Sequence, residues 1–236
     1  MNAYEAAAPP VASLPKTWSV GSIALGAVLA LVIGSVLGVI PFVIAGDPDS
    51  DVASIFAQAF FAAALFAVPL FLLPAVGVRP AAARLGLRRF KFASGIGLMF
   101  VAYGLFFAFS IVYGLLVQID SEQQVLQEIS DEQETFELIA QGILVVIAAP
   151  VSEELFFRGF LFGGLRGRTS FWPAALISGV LFGAIHLLGG SWEVIPPLAA
   201  FGVLLAWLYE RTGSLGPPML MHALQNGIAF AVVTAG

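Results

Sequence analysis

The chain has 236 residues, of which 59% are hydrophobic and only 11% are charged. A soluble domain carries about 25% charged residues, so these side chains are too few to cover a water-facing surface of this size. A soluble globular protein is close to excluded, and the predicted fold class is an all-α, polytopic transmembrane helix bundle. The net charge of −5 disfavours nucleic-acid binding, and the absence of cysteine rules out disulfides and cysteine nucleophiles.

Seven apolar segments follow one another along the chain. The longer ones can each cross about 30 Å of hydrocarbon as a helix. The sixth segment is short and opens with Pro196-Pro197, and proline is common at the start of a helix. The predicted spans are 18–45, 52–77, 92–118, 138–164, 171–188, 194–209 and 216–235.

Basic and acidic residues separate between alternate connections. The basic residues outside the predicted spans are Lys16, Arg79, Arg84, Arg88, Arg89, Lys91, Arg166, Arg168 and Arg211. The intervening connections carry acids and no Lys or Arg. Because Lys and Arg are retained on the cytoplasmic side, this pattern predicts seven spans with a cytoplasmic N-terminus. The expected location is the plasma (inner) membrane of a bacterium.

The fourth span carries two adjacent acids and an arginine. On a helix, residues four apart share a face and neighbours point about 100° apart, so Glu154 and Arg158 are predicted to form an internal ion pair. Glu153 points elsewhere, and a desolvated carboxylate beside a like charge suits a general base. A buried Glu–Arg pair that only fixes helix packing is the alternative for Glu154 and Arg158.

Two further pairs of polar or aromatic residues lie in later spans. Phe182 and His186 share one face of the fifth span, so Phe182 can pack on the imidazole and hold its orientation. His222 and Asn226 share one face of the seventh span, and both can donate hydrogen bonds to a developing oxyanion. Hydrogen bonding to a neighbouring helix is the alternative for each histidine and for the amide.

Depth in the membrane supports a common site for part of this set. The helical rise places Glu153 and His186 at about the same level, roughly 20 Å from the cytoplasmic ends of their spans. His222 is only about 8 Å deep by the same rise. Either the seventh span is tilted, or residues 213–218 enter the membrane before the helix begins.

The motifs Glu153-Glu154-x-x-x-Arg158, Phe182-x-x-x-His186 and His222-x-x-x-Asn226, in this order, resemble those of the CPBP family of intramembrane proteases. This family includes CAAX prenyl endopeptidases and bacterial relatives tied to bacteriocin processing or self-immunity. The resemblance covers about 138–235. It implies hydrolysis, within the membrane, of a peptide bond of a membrane-associated protein or peptide.

The resemblance also implies site roles. They are water activation by Glu153 and His186, support of Glu153 by Glu154 and Arg158, and oxyanion binding by His222 and Asn226. No cofactor is favoured, because a carboxylate and an imidazole can polarise a water by general-base chemistry. The alternative is a divalent metal such as zinc held by Glu153, His186 and His222, since two histidines and a carboxylate form a catalytic zinc set.

Four regions follow from these patterns. Residues 1–17 are predicted to form a cytoplasmic tail, and 18–118 to form three scaffold transmembrane helices. Residues 119–137 are predicted to form an acidic outer connection, and 138–235 the catalytic four-helix core. The acidic stretch contains seven acids and no base between 120 and 137, and a short amphipathic helix is its alternative.

Two other functions compete with the endopeptidase. A proton-coupled transporter would use the same acids and histidines as a relay, but the polar cluster occupies one half of the chain and no second half repeats it. A non-catalytic membrane scaffold or bacteriocin-immunity factor would retain the motifs for packing. The expected partners are a membrane-associated substrate and the lipid bilayer. The sequence leaves open the substrate's identity, its prenylation and the oligomeric state.

Overall fold

Seven helices in chain order make up a computed structural model that describes residues 18–72, 74, 85–117, 135–189 and 192–235. The helices are α1 Val20–Ala45, α2 Asp51–Leu72, α3 Phe92–Val117, α4 Thr135–Arg166, α5 Phe171–Ile185, α6 Ile195–Thr212 and α7 Gly216–Ala235. Helix α2 continues from Ala67 in a π-helical turn, and a 3₁₀ turn, His186–Gly189, follows α5.

Each predicted span corresponds to one helix, so the predicted polytopic α-helical fold is confirmed. Five helices, namely α1, α2, α3, α4 and α6, are long and apolar enough to cross a membrane. Helix α5 is apolar but shorter. Helix α7 has 20 residues and is not among those five, because polar side chains interrupt its apolar sequence.

Several boundaries differ from the prediction by a few residues; for example, helix α5 ends at Ile185 instead of 188. Helix α4 begins at Thr135 instead of 138, and its first turn includes Glu137, a position where the helix dipole favours an acid. Helix α6 continues to Thr212 instead of 209. The predicted tail at 1–17 lies outside the described residues, as do residues 118–134 of the acidic connection.

Local sequence accounts for several helix ends. The hydroxyls of Ser19 and Ser50 accept hydrogen bonds from backbone N–H groups in the first turns of α1 and α2. Gly46 and Gly213 end α1 and α6 in the left-handed conformation, with φ of 67° and 62°. The two prolines predicted to open the sixth span lie in the first turn of α6, as expected for residues that donate no backbone hydrogen bond.

Helix α4 lies at the centre of the bundle and contacts α1, α2, α5, α6 and α7. Helix α3 packs on α6 and α7. The outer faces of α1 and α3 expose many large apolar side chains, for example Val36 at 60% and Leu115 at 77% exposure. Such surfaces suit contact with lipid, and they leave α4 as the element around which polar side chains can gather.

Candidate active site

Helix α4 changes its winding on both sides of the two adjacent glutamates. The segments Leu144–Ala148 and Leu155–Phe162 are π-helical, and the α-helical segment Ala149–Glu154 lies between them. π-Helical turns are rare and often occur at functional sites. The sequence analysis did not identify these turns, because the apolar pattern of α4 continues through them.

The predicted ion pair of α4 is present in the structure. The Nη1 atom of Arg158 donates to Oε1 of Glu154 over 2.8 Å, and both side chains are fully buried. The Nη2 atom of Arg158 donates to the carbonyl of Gly202 on α6 over 3.2 Å. Its guanidinium carbon lies 4.4 Å from the centre of the Phe182 ring. Arg158 therefore joins α4 to α5 and α6 through one buried cation.

Close crossing of α5 and α6 brings the Gly202 carbonyl to Arg158. A Cβ atom at Gly202 would lie 2.8 Å from the Cα of Gly179 and 3.3 Å from Nη2 of Arg158. Ser178, beside that crossing, donates its hydroxyl to the carbonyl of Phe157 in the π-helical part of α4. The sequence analysis missed these three small residues, since small residues recur throughout the spans.

His222 contacts both glutamates. Its Nδ1 lies 2.9 Å from Oε1 of Glu154, and its Nε2 lies 3.8 Å from Oε2 of Glu153. Because Glu154 already accepts from Arg158, the Nδ1 of His222 carries the proton in this hydrogen bond. Oε2 of Glu153 is buried and accepts no hydrogen bond from the residues that the structure describes.

Residues 213–218 are packed inside the bundle. Ser214 and Leu215 are each 1% exposed, and Pro217 and Pro218 are buried. The chain therefore enters the protein interior before it reaches His222 on α7, whereas the two arrangements proposed for the depth of His222 in a membrane both stay predictions.

His186 lies just after α5, in the 3₁₀ turn that follows it, whereas the prediction places it within the fifth span. Its ring centre is 5.1 Å from that of Phe182, so the predicted packing of these two rings is present. Its Nδ1 lies 2.8 Å from the Phe182 carbonyl, and only a protonated nitrogen can bond there. In the neutral ring the Nε2 is then an acceptor. Phe182 also packs against His222, with ring centres 5.5 Å apart.

Asn226 lies one turn after His222 on α7. Its Nδ2 donates to the carbonyl of Val145, in the first π-helical segment of α4, over 2.9 Å. A carboxamide has two donor hydrogens, so this bond leaves a second one for another acceptor. In this structure Asn226 joins α7 to α4.

A cavity of about 680 Å³ contains both Glu153 and His186. Another part of its wall belongs to α1 and α2, for which the sequence predicts a scaffold role. The polar side chains of that part are Ser35, Ser54 and Gln58. An amide inside a predicted span is a signal that could have identified Gln58, but the analysis considered only ionisable groups and Asn226.

The alternative zinc set was Glu153, His186 and His222. Within the described residues, no group of three or more histidine, aspartate or glutamate side chains is arranged to hold a metal ion. These three residues thus do not converge on one ligand position in this arrangement. Two of the three residues lie near each other, since Nε2 of His222 is 3.8 Å from Oε2 of Glu153.

Comparison with known proteins identifies relatives of the second half of the chain. Residues 135–228 match the family described as Type II CAAX prenyl endopeptidase Rce1-like. A putative membrane peptidase of Bacillus subtilis is 36% identical over 84 residues, which are 36% of this chain and 33% of that protein. A membrane-embedded CAAX protease of Staphylococcus aureus is 31% identical over 133 residues, 51% of this chain and 53% of that protein.

The matches cover only part of each relative. A UPF0177 protein of Lactococcus lactis is 32% identical over 89 residues, 38% of this chain and 48% of that protein. The chain therefore spans about half or less of the length of these relatives. No solved structure matches the chain. Residues 135–228 of this integral membrane protein are therefore similar to the Rce1-like family of type II CAAX prenyl endopeptidases, the resemblance that its three motifs predicted.

Proposed function

We propose that the chain is an intramembrane endopeptidase that hydrolyses a peptide bond of a membrane-associated protein or peptide. The observation that carries this proposal is the position of Glu153. Its buried Oε2 has no hydrogen-bond donor among the described residues, lies 3.8 Å from Nε2 of His222, and borders the cavity that also contains His186. Two polar atoms at this separation are suited to share a bridging water.

The reaction begins with this water. Glu153 removes one proton from it, and the acceptor Nε2 of His186 orients it through its other hydrogen. The oxygen then attacks the carbonyl carbon of the scissile bond and forms a tetrahedral oxyanion. Glu153 returns the proton to the leaving nitrogen, so the immediate products are an amine and a carboxylic acid that keeps the second proton of the water. The acid then ionises and releases that proton to solvent.

His222 and Asn226 stabilise the oxyanion. The Nε2 of His222 can donate only in the imidazolium form, since Nδ1–H is already bonded to Glu154. The positive charge of the imidazolium balances the charge of the buried cluster, because the other charged groups there are two carboxylates and one guanidinium. Asn226 contributes its second amide hydrogen. Glu154 and Arg158 position His222 and, through the shared helix, Glu153.

Metal-free hydrolysis is the favoured form of this proposal, since the carboxylate and imidazole supply both the base and the oxyanion donor. If a divalent metal binds, Glu153, His186 and His222 would have to move together to hold it. The metal would then supply Lewis-acid activation of the water.

The proposal is tested by comparing the membrane peptides of cells that carry the wild-type protein or the Glu153→Gln variant. We expect cleavage products that appear with the wild type and are absent with Glu153→Gln, because the amide cannot accept the water proton. Glu137→Gln, in the first turn of the same helix, is the matched control and should give the wild-type products.

The opposite result identifies the scaffold alternative. Identical products from wild-type and Glu153→Gln cells, together with a lower melting temperature of the purified variant, would mean that Glu153 serves packing. We expect instead that Glu153→Gln inserts and melts like the wild type, because its side chain borders the cavity and is 13% exposed.

A further inference from the structure

The lining of the cavity beside Glu153 includes further polar side chains, which belong to α2. Ser54 and Gln58 lie one turn apart on α2, and Nε2 of Gln58 donates to Oγ of Ser54 over 3.3 Å. Gln58 lies seven residues after the start of α2 at Asp51, or about 10 Å along the helix. A carboxamide at this depth of a spanning helix is costly unless it serves a polar partner.

Most of the remaining cavity surface is apolar. The apolar side chains of the lining include Val39, Phe42, Phe61 and Leu144. A peptide that enters this space loses its hydrating water, and each of its unpaired N–H and C=O groups then needs a new partner. A glutamine side chain offers one acceptor and two donors, with the same geometry as a peptide group.

We propose that Gln58, held by Ser54, binds one peptide group of the substrate beside the scissile bond, with Oε1 accepting a substrate N–H. This inference rests on the proposed endopeptidase activity and adds the substrate's conformation. The residues in the cavity are an extended stretch with apolar side chains, since a helical segment has already satisfied its own N–H groups. Gln58 is thus a positioning and specificity residue contributed by α2.

The test uses a quenched fluorescent peptide that spans a cleavage site found in the product comparison above. A set of matched peptides carries an ester in place of one amide near the scissile bond, which removes a single N–H group. Purified full-length protein is reconstituted in lipid vesicles as the wild type, Gln58→Met and Gln58→Ala. Ser94→Ala, near the start of α3 and outside the cavity lining, is the control.

We expect Gln58→Met and Gln58→Ala to lower kcat/KM for the all-amide peptide by about tenfold, as for one lost hydrogen bond, mainly through KM. One ester position should cost the wild type about the same factor and cost the Gln58 variants nothing, because the partner atom is already missing. Melting temperatures equal to that of the wild type show that each variant is folded.

If the ester lowers kcat/KM by the same factor in the wild type and in both Gln58 variants, the assignment of Gln58 is overturned, even though cleavage itself continues. Undiminished kcat/KM in both Gln58 variants would overturn it too. Cleavage of the all-amide peptide by Glu153→Gln at the wild-type rate would instead contradict the proposed mechanism, which separates the two failures.

Discussion

Glu153 and Glu154 are adjacent in sequence and lie in different surroundings. Glu154 is fully buried and accepts hydrogen bonds from Arg158 and His222 through one oxygen. Glu153 is 13% exposed, borders the cavity and faces the other nitrogen of His222. This difference follows from the 100° rotation between neighbours on a helix. A structural acid and a candidate base can therefore occupy consecutive positions, because their side chains point into different surroundings.

Asn226 allows a test of the oxyanion site. We expect Asn226→Ala to lower kcat by about 100-fold and to change KM much less, because the lost donor acts mainly on charge that develops in the transition state. Steady-state cleavage of the peptide described above measures both constants.

Gln225→Ala is the control for Asn226→Ala. Gln225 accepts from the Tyr103 hydroxyl over 3.0 Å, so its removal also breaks one bond between helices. The control should retain its kcat. A matching fall in kcat for both variants would show that Asn226 acts through helix packing alone, by its bond to Val145.

Whether cleavage needs a metal depends on the roles of a few residues, and a chelator can test it. If Glu153 and His186 activate the water and His222 and Asn226 bind the oxyanion without a metal, then 1,10-phenanthroline or EDTA should leave the initial cleavage rate of the purified protein unchanged. Inhibition that added zinc reverses would contradict the metal-free form of the proposal and support the set of Glu153, His186 and His222.

At the scale of the element, α4 owes its position to hydrogen bonds from other helices. Asn226 of α7 donates to the Val145 carbonyl, and Ser178 of α5 donates to the Phe157 carbonyl. Both carbonyls belong to the π-helical segments on either side of Ala149–Glu154. These bonds fix the rotation of α4 on both sides of Ala149–Glu154, and hence the direction in which Glu153 points.

The crossing of α5 and α6 is the other feature that places the motif. We expect Gly202→Ala to destabilise the protein by about 1–3 kcal/mol, because the new methyl group would meet the backbone of Gly179 at 2.8 Å. The melting temperature in detergent, followed by circular dichroism, measures the change.

Gly104→Ala on α3 is the control, since nothing lies within 4 Å of a Cβ atom there. It should leave the melting temperature unchanged or raise it, because alanine favours a helix over glycine by about 0.5–1 kcal/mol. Equal melting temperatures of the Gly202→Ala and wild-type proteins would contradict a tight crossing.

At the scale of the whole molecule, the alternation of charged connections predicts which ends of the helices face the cytoplasm. The connection between α1 and α2 contains Asp47 and Asp49, whereas the connection between α4 and α5 follows Arg166 and contains Arg168. The positive-inside rule therefore places Asp49 outside the cell and Ser170 inside it.

This orientation is open to labelling because the natural chain has no cysteine. In intact cells, a membrane-impermeant maleimide should label Asp49→Cys and leave Ser170→Cys unlabelled; permeabilised cells should label both. The reverse pattern would invert the predicted topology. Both positions carry exposed or half-exposed side chains, so accessibility should depend on the membrane and not on burial in the bundle.

Local patterns in the sequence determined the seven helices, the Glu154–Arg158 pair and the contact of Phe182 with His186. Each depends on composition or on residues four apart, and those relations hold in any helix. The contact of His222 with Glu154 joins residues 68 positions apart, and residues 213–218 before it are packed inside the bundle. Only tertiary packing could decide such contacts, because they depend on how closely two helices cross.

The composition of the cavity wall could likewise be predicted only in part from the sequence. The motifs indicated one side, with Glu153 and His186, whereas the side formed by α1 and α2 carries no motif. Close packing of those two helices at Gly34, where a Cβ atom would meet the Phe61 ring at 2.6 Å, places Gln58 on the same cavity as Glu153. The sequence by itself determined which residues have the required chemistry, and the packing of the helices decided which of them share one space.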